Sequence, residues 1–232
     1  MTIVIGIDCS AVRGRTGLAL TRGVEGRLEI LETTLDSHAQ SPVDVVSKWL
    51  LNTSSAILAF DAPLGWPTSL GDELSAHRAG MPMHRDPDTL FRRETDRAIH
   101  HRLKKRSLDV GADRIARTAH AALALLGAIR AKAGRSIPLA WTHEGLAEPH
   151  AIEVYPAATR IAHGVSRDGR VDEIVPMVSL SDLDDRSVHE RDAVLCAIAG
   201  WDFLCGRAVG PLLVQESVAR REGWIWAARG DV

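Results

Sequence analysis

The run Thr2-Ile3-Val4-Ile5-Gly6-Ile7-Asp8 constrains this chain more than any other segment. Its β-branched apolar residues, in a stretch too short for a helix, specify a buried strand. That strand ends on a carboxylate, which an apolar interior cannot hold unpaired. Turns at Gly14 to Gly17 and Gly23 to Gly26 separate it from two further strands, Leu18 to Thr21 and Leu28 to Thr33. Short turns between short strands predict an antiparallel meander. Pro42 then opens a helix whose apolar positions Val45, Val46, Trp49 and Leu50 recur at helical spacing. A second buried strand, Ser55 to Phe60, closes on Asp61-Ala62-Pro63. A helix between two buried strands predicts parallel pairing, with the first strand as partner.

Further along, the stretch 64–118 is less regular and holds Pro67, Pro82 and Pro87. Helical spacing returns over Asp88 to Arg106 (Phe91, Ile99, Leu103) and over Ile115 to Lys132. Ala151 to Tyr155 reads as a strand stopped by Pro156, and Glu190 to Cys205 as a long helix. Glu222 to Trp226 adds a last strand or a packed tail. No repeat or low-complexity segment marks a second domain. The expectation is one α/β domain over residues 1–232: a mixed central sheet, helices on both faces, and a mainly helical, basic insertion at about 64–118.

Composition narrows the function classes. The formal net charge is −2, so any hold on nucleic acid must come from a local patch. No apolar stretch approaches the ~20 residues that cross a bilayer, and Met1 to Ile7 lacks the basic start of a signal peptide. No membrane partner is expected. Cys9, Cys196 and Cys205 have neither zinc-knuckle nor disulfide-framework spacing. Reduced thiols in a cytoplasmic protein are the expectation.

Three strands deliver a carboxylate at or near their C-terminal ends: Asp8, Asp61 and Glu153. A fourth acid, Asp192, opens the last long helix. In open α/β sheets ligands bind at that edge. Carboxylates gathered there repel unless cations neutralise them. Mg²⁺ or Mn²⁺ suits such oxygen donors and keeps waters for hydrolysis. Each acid also has a purely structural reading. Asp8 ends a strand before a turn; Asp61 makes an Asx-turn; Glu153 pairs with an arginine such as Arg160; Asp192 complements its helix dipole.

Taken in order, the motifs Ile5-Gly6-Ile7-Asp8, Asp61-Ala62-Pro63-Leu64-Gly65, Arg93-Glu94-Thr95-Asp96-Arg97, Glu153-Val154-Tyr155-Pro156-Ala157, Asp192-Ala193 and Glu222-Gly223-Trp224-Ile225 resemble the DUF429 family. That family is described as predicted nucleases with a ribonuclease H-like fold. The resemblance implies that fold and a divalent-metal-dependent nuclease. The layout is also similar to Holliday-junction resolvases of the RuvC type, in which a [His/Asp]-x-x-Asp pair begins the last helix. His189-Glu190-Arg191-Asp192 has that spacing. The resemblance implies metal ligation by Asp8, Asp61 and Asp192, with Glu153 and His189 as further ligands or proton-transfer groups. Glu153 is extra to the resolvase pattern.

Seven Lys/Arg residues lie between Arg92 and Arg106. They offer a phosphate-binding surface, with Arg93 and Arg97 four apart on one helix face and Lys104 and Lys105 beside them. The competing reading is a solvated helix face, with Arg92 and Asp96 as an i,i+4 pair. Nucleic acid is the expected partner, and a homodimer would suit cleavage of a two-strand junction. Two rivals to the nuclease remain: a non-catalytic module binding nucleic acid or protein, and an actin-like or kinase-type phosphotransfer domain. The second lacks the Gly-rich phosphate loops and second lobe that such proteins use.

Overall fold

The opening apolar run forms β1 (Ile3–Asp8), and everything else is arranged around it. The computed structural model describes residues 2–111, 113–166, 171, 174, 177–178 and 183–230. The strands β2 (Gly17–Val24) and β3 (Arg27–Leu35) follow β1 as an antiparallel meander. Then α1 (Pro42–Leu50), capped by the Ser41 hydroxyl on the Asp44 N–H, leads into β4 (Ala56–Asp61). As the intervening helix predicts, β4 pairs with β1 in parallel, Ile3 beside Ala56 and Asp8 beside Asp61.

Residues 64–118 are largely helical: α2 (Thr68–Ala76), α3 (Pro87–Phe91), α4 (Glu94–Leu103) and the start of α5 (Asp113–Ala133). The expected continuous helix over 88–106 is broken in two. Arg92 and Arg93 are extended, and the Arg93 N–H donates to the Asp96 carboxylate, which caps α4 and forces a new helix start. Beyond α5 come β5 (His150–Glu153), α6 (Pro156–Ala162), β6 (Met177–Val178), α7 (Val188–Leu204) and α8 (Glu216–Glu222). Among the described residues the strands form one mixed sheet in the order β5-β4-β1-β2-β3-β6. The segment after α8 is a packed tail bridged to the end of β5 at Ile225 and Glu153.

Alternation along the strands sets two apolar layers. Ile5, Ile7, Leu58 and Phe60 pack with Val46, Leu126 and Ile129 beneath α1 and α5. Val4, Ile57 and Ala59 pack with Cys196, Ala197 and Phe203 of α7 on the opposite face. The chain is thus a mixed α/β fold, its central sheet flanked by helices on both faces. Contact with α7 is so close that a Cβ on Gly6 would stand 1.8 Å from the Ala193 carbonyl oxygen, and one on Gly17 2.0 Å from that of His189. Only glycine permits this approach, and it presses the first turns of α7 against the ends of β1 and β2. No helix is long and apolar enough to cross a membrane, among the described residues.

Candidate functional site

Parallel register and alternation together decide which strand-end acids meet. Asp8 and Asp61 are direct partners on β1 and β4 and stand on the α7 face. On that face the first turns of α7 add His189 and Asp192. The Ser187 hydroxyl and the Glu190 carboxylate cap this helix reciprocally. The His189 Nδ1 lies 2.6 Å from an Asp8 carboxylate oxygen. His189 and Asp192, three residues apart, thus both face Asp8, as their spacing suggested.

The electrostatics of this group are those of crowded carboxylates. Burial, and then Asp192, push the Asp8 carboxyl up to about 8. Asp61 is raised well above the usual carboxylate range by burial and then by Asp8, Asp192 and Glu153. Among the described residues the charges that act on Asp61 are all carboxylates, although part of its surface is exposed. Burial also raises Asp192, against the pull of Arg160, His189 and Arg191. Hard oxygen donors destabilised by one another are the chemistry that a divalent cation relieves. Asp8, Asp61 and Asp192 therefore fit such an ion by donor type and charge. Among the described residues, however, no three His, Cys, Asp or Glu side chains converge into a ready-made metal cluster. One Asp8 oxygen is already engaged by His189.

Glu153 belongs elsewhere. It stands opposite Phe60, so alternation places it on the α1 and α5 side of the sheet, away from Asp8. Both its oxygens are engaged: Arg93 donates at 2.7 and 2.8 Å, and the Leu64 N–H at 2.9 Å. The pairing with an arginine foreseen for Glu153 is real, but its partner is Arg93, 60 residues upstream, and not Arg160.

Arg93 is correspondingly lost to substrate. It is 1% exposed, and its remaining N–H groups go to both Asp96 oxygens and the Glu222 carbonyl. All five guanidinium donors are satisfied, and flanking carboxylates hold its pKa further up. Arg97 does not share its face: it is exposed, and it donates to Glu94 and to the Arg92 carbonyl. The expected Arg92–Asp96 pair is also absent, since Arg92 sits between Asp88 and Asp109. Lys104, exposed, ends α4 in the left-handed conformation, with half-buried Lys105 next to it.

Around Arg93 a buried network ties the insertion to the sheet. The Glu222 carboxylate accepts from the Thr68 N–H and hydroxyl and from the Glu94 N–H. The Thr95 hydroxyl accepts from the Ile225 N–H. Sequence reasoning missed Thr68 and Ser107 and named Glu222 only within a motif, without this role, because partners up to 154 residues apart leave no local signal. Beside this network opens a cavity of about 270 Å³, lined among others by Cys9, Asp61, Leu108 and Tyr155. Burial, then Asp61 and Asp96, raise the Tyr155 phenol; burial, then Asp61 and Asp8, raise the Cys9 thiol.

Comparison with known proteins adds the following. No curated protein matches the chain. Among solved structures, T. thermophilus RuvC in complex with Holliday junction substrate is similar at 11% identity and a TM-score of 0.37, covering 85% of this chain and 91% of that one. Residues 6–212 match the family described as a protein of unknown function, DUF429, and with most of its length accounted for in this way the chain belongs to the DUF429 family.

Proposed function

We propose that this protein is a ribonuclease H-like, divalent-metal-dependent nuclease that hydrolyses phosphodiester bonds. The observation that supports it is the side-by-side placement of Asp8 and Asp61 at the C-terminal ends of adjacent parallel strands, with Asp192 in electrostatic reach. Asp8, Asp61 and Asp192 would hold Mg²⁺ or Mn²⁺, which would supply a neutralising charge and an acidified water. His189, hydrogen-bonded to Asp8 through Nδ1, is oriented with Nε2 available to take or return a proton. Arg160 and Arg191, which pull the Asp192 pKa down, add positive charge where a phosphate would approach. Exposed Arg97, Lys104 and half-buried Lys105 extend that charge along the insertion.

The test is cleavage of single-stranded, hybrid and branched DNA and RNA oligonucleotides with Mg²⁺, Mn²⁺ or EDTA. Metal-dependent products that fall at least ~100-fold in Asp8→Asn and Asp61→Asn are expected. A rate unchanged in Asp8→Asn removes the metal assignment. A second reading, a non-catalytic binding module, is favoured by the lack of three converging ligands among the described residues. Metal-independent binding without turnover would establish it.

A further inference from the structure

The loop between β1 and β2 begins directly after Asp8 and ends at Gly17, the register partner of Asp8. It is pinned at several points. The Asp36 carboxylate accepts from the Gly14 N–H and the Thr16 N–H, each at 2.9 Å, and the Asp36 N–H donates to the Thr16 carbonyl. The Ser10 hydroxyl accepts from the Val12 N–H at 3.0 Å. Gly14, at φ +78°, turns the chain between Arg13 and Arg15. Both arginines are exposed, and among the described residues neither forms an ion pair with a carboxylate. Arg13 Nη1 lies 3.4 Å from His38 Nδ1, and both oxygens of Asp36 are committed to the backbone. In the insertion, by contrast, Arg92, Arg97 and Arg106 all lie against Asp or Glu.

Position makes this charge useful. A Cβ on Gly17 would stand 2.0 Å from the His189 carbonyl oxygen, so the returning arm of the loop packs on the first turn of α7. Cys9, Ser10 and Thr16 line a cleft of about 170 Å³ against Ala121 and Leu125 of α5. Cys9 also lines the cavity beside Asp61, so a concave path leads from the loop along α5 to the carboxylates. Two residues span at most ~7 Å between Cα atoms, about two nucleotide steps of ~3.4 Å. A guanidinium held at the surface without an acidic partner is a fork for phosphate oxygens. We infer that Arg13 and Arg15 grip two phosphates of the nucleic-acid backbone beside the scissile one and fix the approach of the strand to Asp8 and Asp61. Asp36 is the positioning residue that holds both arginines in place. This rests on the nuclease reading of the adjoining carboxylates.

The experiment measures binding of a labelled single strand, and of its duplex, to the full chain in EDTA by fluorescence anisotropy across a salt series. Arg13→Gln/Arg15→Gln is expected to weaken binding at least ~10-fold and to flatten the slope of log K against log salt by ~1.4 on the single strand or ~1.8 on the duplex. A charge-matched control, Arg27→Gln/Lys48→Gln, removes exposed cations at the opposite edge of the sheet and should leave affinity and slope unchanged. Arg13→Lys/Arg15→Lys keeps the charge and should recover most of the slope. If the double variant misfolds, Arg13→Gln and Arg15→Gln taken singly should each give half the change. An unchanged slope, an equal loss in the control, no recovery with lysine, or no binding at low salt would overturn the inference. Oligonucleotide cleavage with Mn²⁺ is scored in parallel. Cleavage whose KM is unaltered in Arg13→Gln/Arg15→Gln removes the loop contact and leaves the nuclease standing. Loop-dependent binding without any cleavage supports the contact and removes the nuclease.

Discussion

Replacing Asp61 by Asn is expected to stabilise the metal-free protein at alkaline pH while abolishing its proposed activity. Neighbouring strands lie ~4.8 Å apart, and Asp8 and Asp61 are exact register partners. Two unit charges ~5 Å apart repel by ~3 kcal/mol at an effective dielectric constant of ~20. Burial raises both carboxyls, Asp8 to about 8. An acid whose folded pKa exceeds its unfolded value binds its proton more tightly in the native state. Its stabilisation is therefore complete below about 3.8 and is lost as pH climbs, for Asp8 towards about 8 and for Asp61 in the same direction. Asparagine does not titrate and escapes that loss. Proton retention by the wild type and the desolvated amide of the variant reduce the gain to ~1–2 kcal/mol at pH 8.5. At ~2–4 °C per kcal/mol for a chain of this size, the melting temperature rises by ~2–8 °C. As pH falls to about 4 the difference should close to within ~0.5 kcal/mol, since the carboxyl is then largely protonated in the folded and the unfolded chain alike. Thermal melts in EDTA from pH ~4 to ~9 measure this. An Asp61→Asn protein that loses stability relative to wild type as pH rises would refute the reasoning, because it would reveal a favourable partner for the Asp61 charge.

Three further outcomes are expected. Arg93→Lys should cost about 3–5 kcal/mol in chemical denaturation, since one ammonium cannot replace five donors shared by Asp96, Glu153 and Glu222; a loss under ~1 kcal/mol would contradict the network. Gly6→Ala should destabilise by at least ~3 kcal/mol, because its methyl would meet the Ala193 carbonyl at 1.8 Å, and a near-neutral melt would show that α7 can retreat without penalty. For Lys104→Gln/Lys105→Gln, nucleic-acid affinity should fall and the slope of log K against log salt should flatten by ~1–2; an unchanged slope would take these lysines off the phosphate path.

Much of the scaffold was legible in the residues themselves. The meander, the Pro42 helix, the parallel return of the second buried strand and the long helices over 115–132 and 190–205 follow from local periodicity and turn chemistry, which act over a few residues. The nearness of Asp8 to Asp61 was inferable, because each ends a strand of one βαβ unit. So was the shared face of His189 and Asp192. Arg93 was misread: seven cations in one stretch look like a phosphate surface, and nothing nearby shows that Glu153 and Glu222 will enclose one of them.

Sequence by itself thus determined which elements form and that carboxylates end three strands, since hydrophobic alternation and helical spacing are local properties of the chain. Tertiary structure alone decided the role of each charge. Register set Glu153 opposite Phe60, where Arg93 reaches both its oxygens, and burial converted Arg93 from a surface cation into a saturated anchor. The desolvation that separates these roles exists only once distant segments have closed around the side chains.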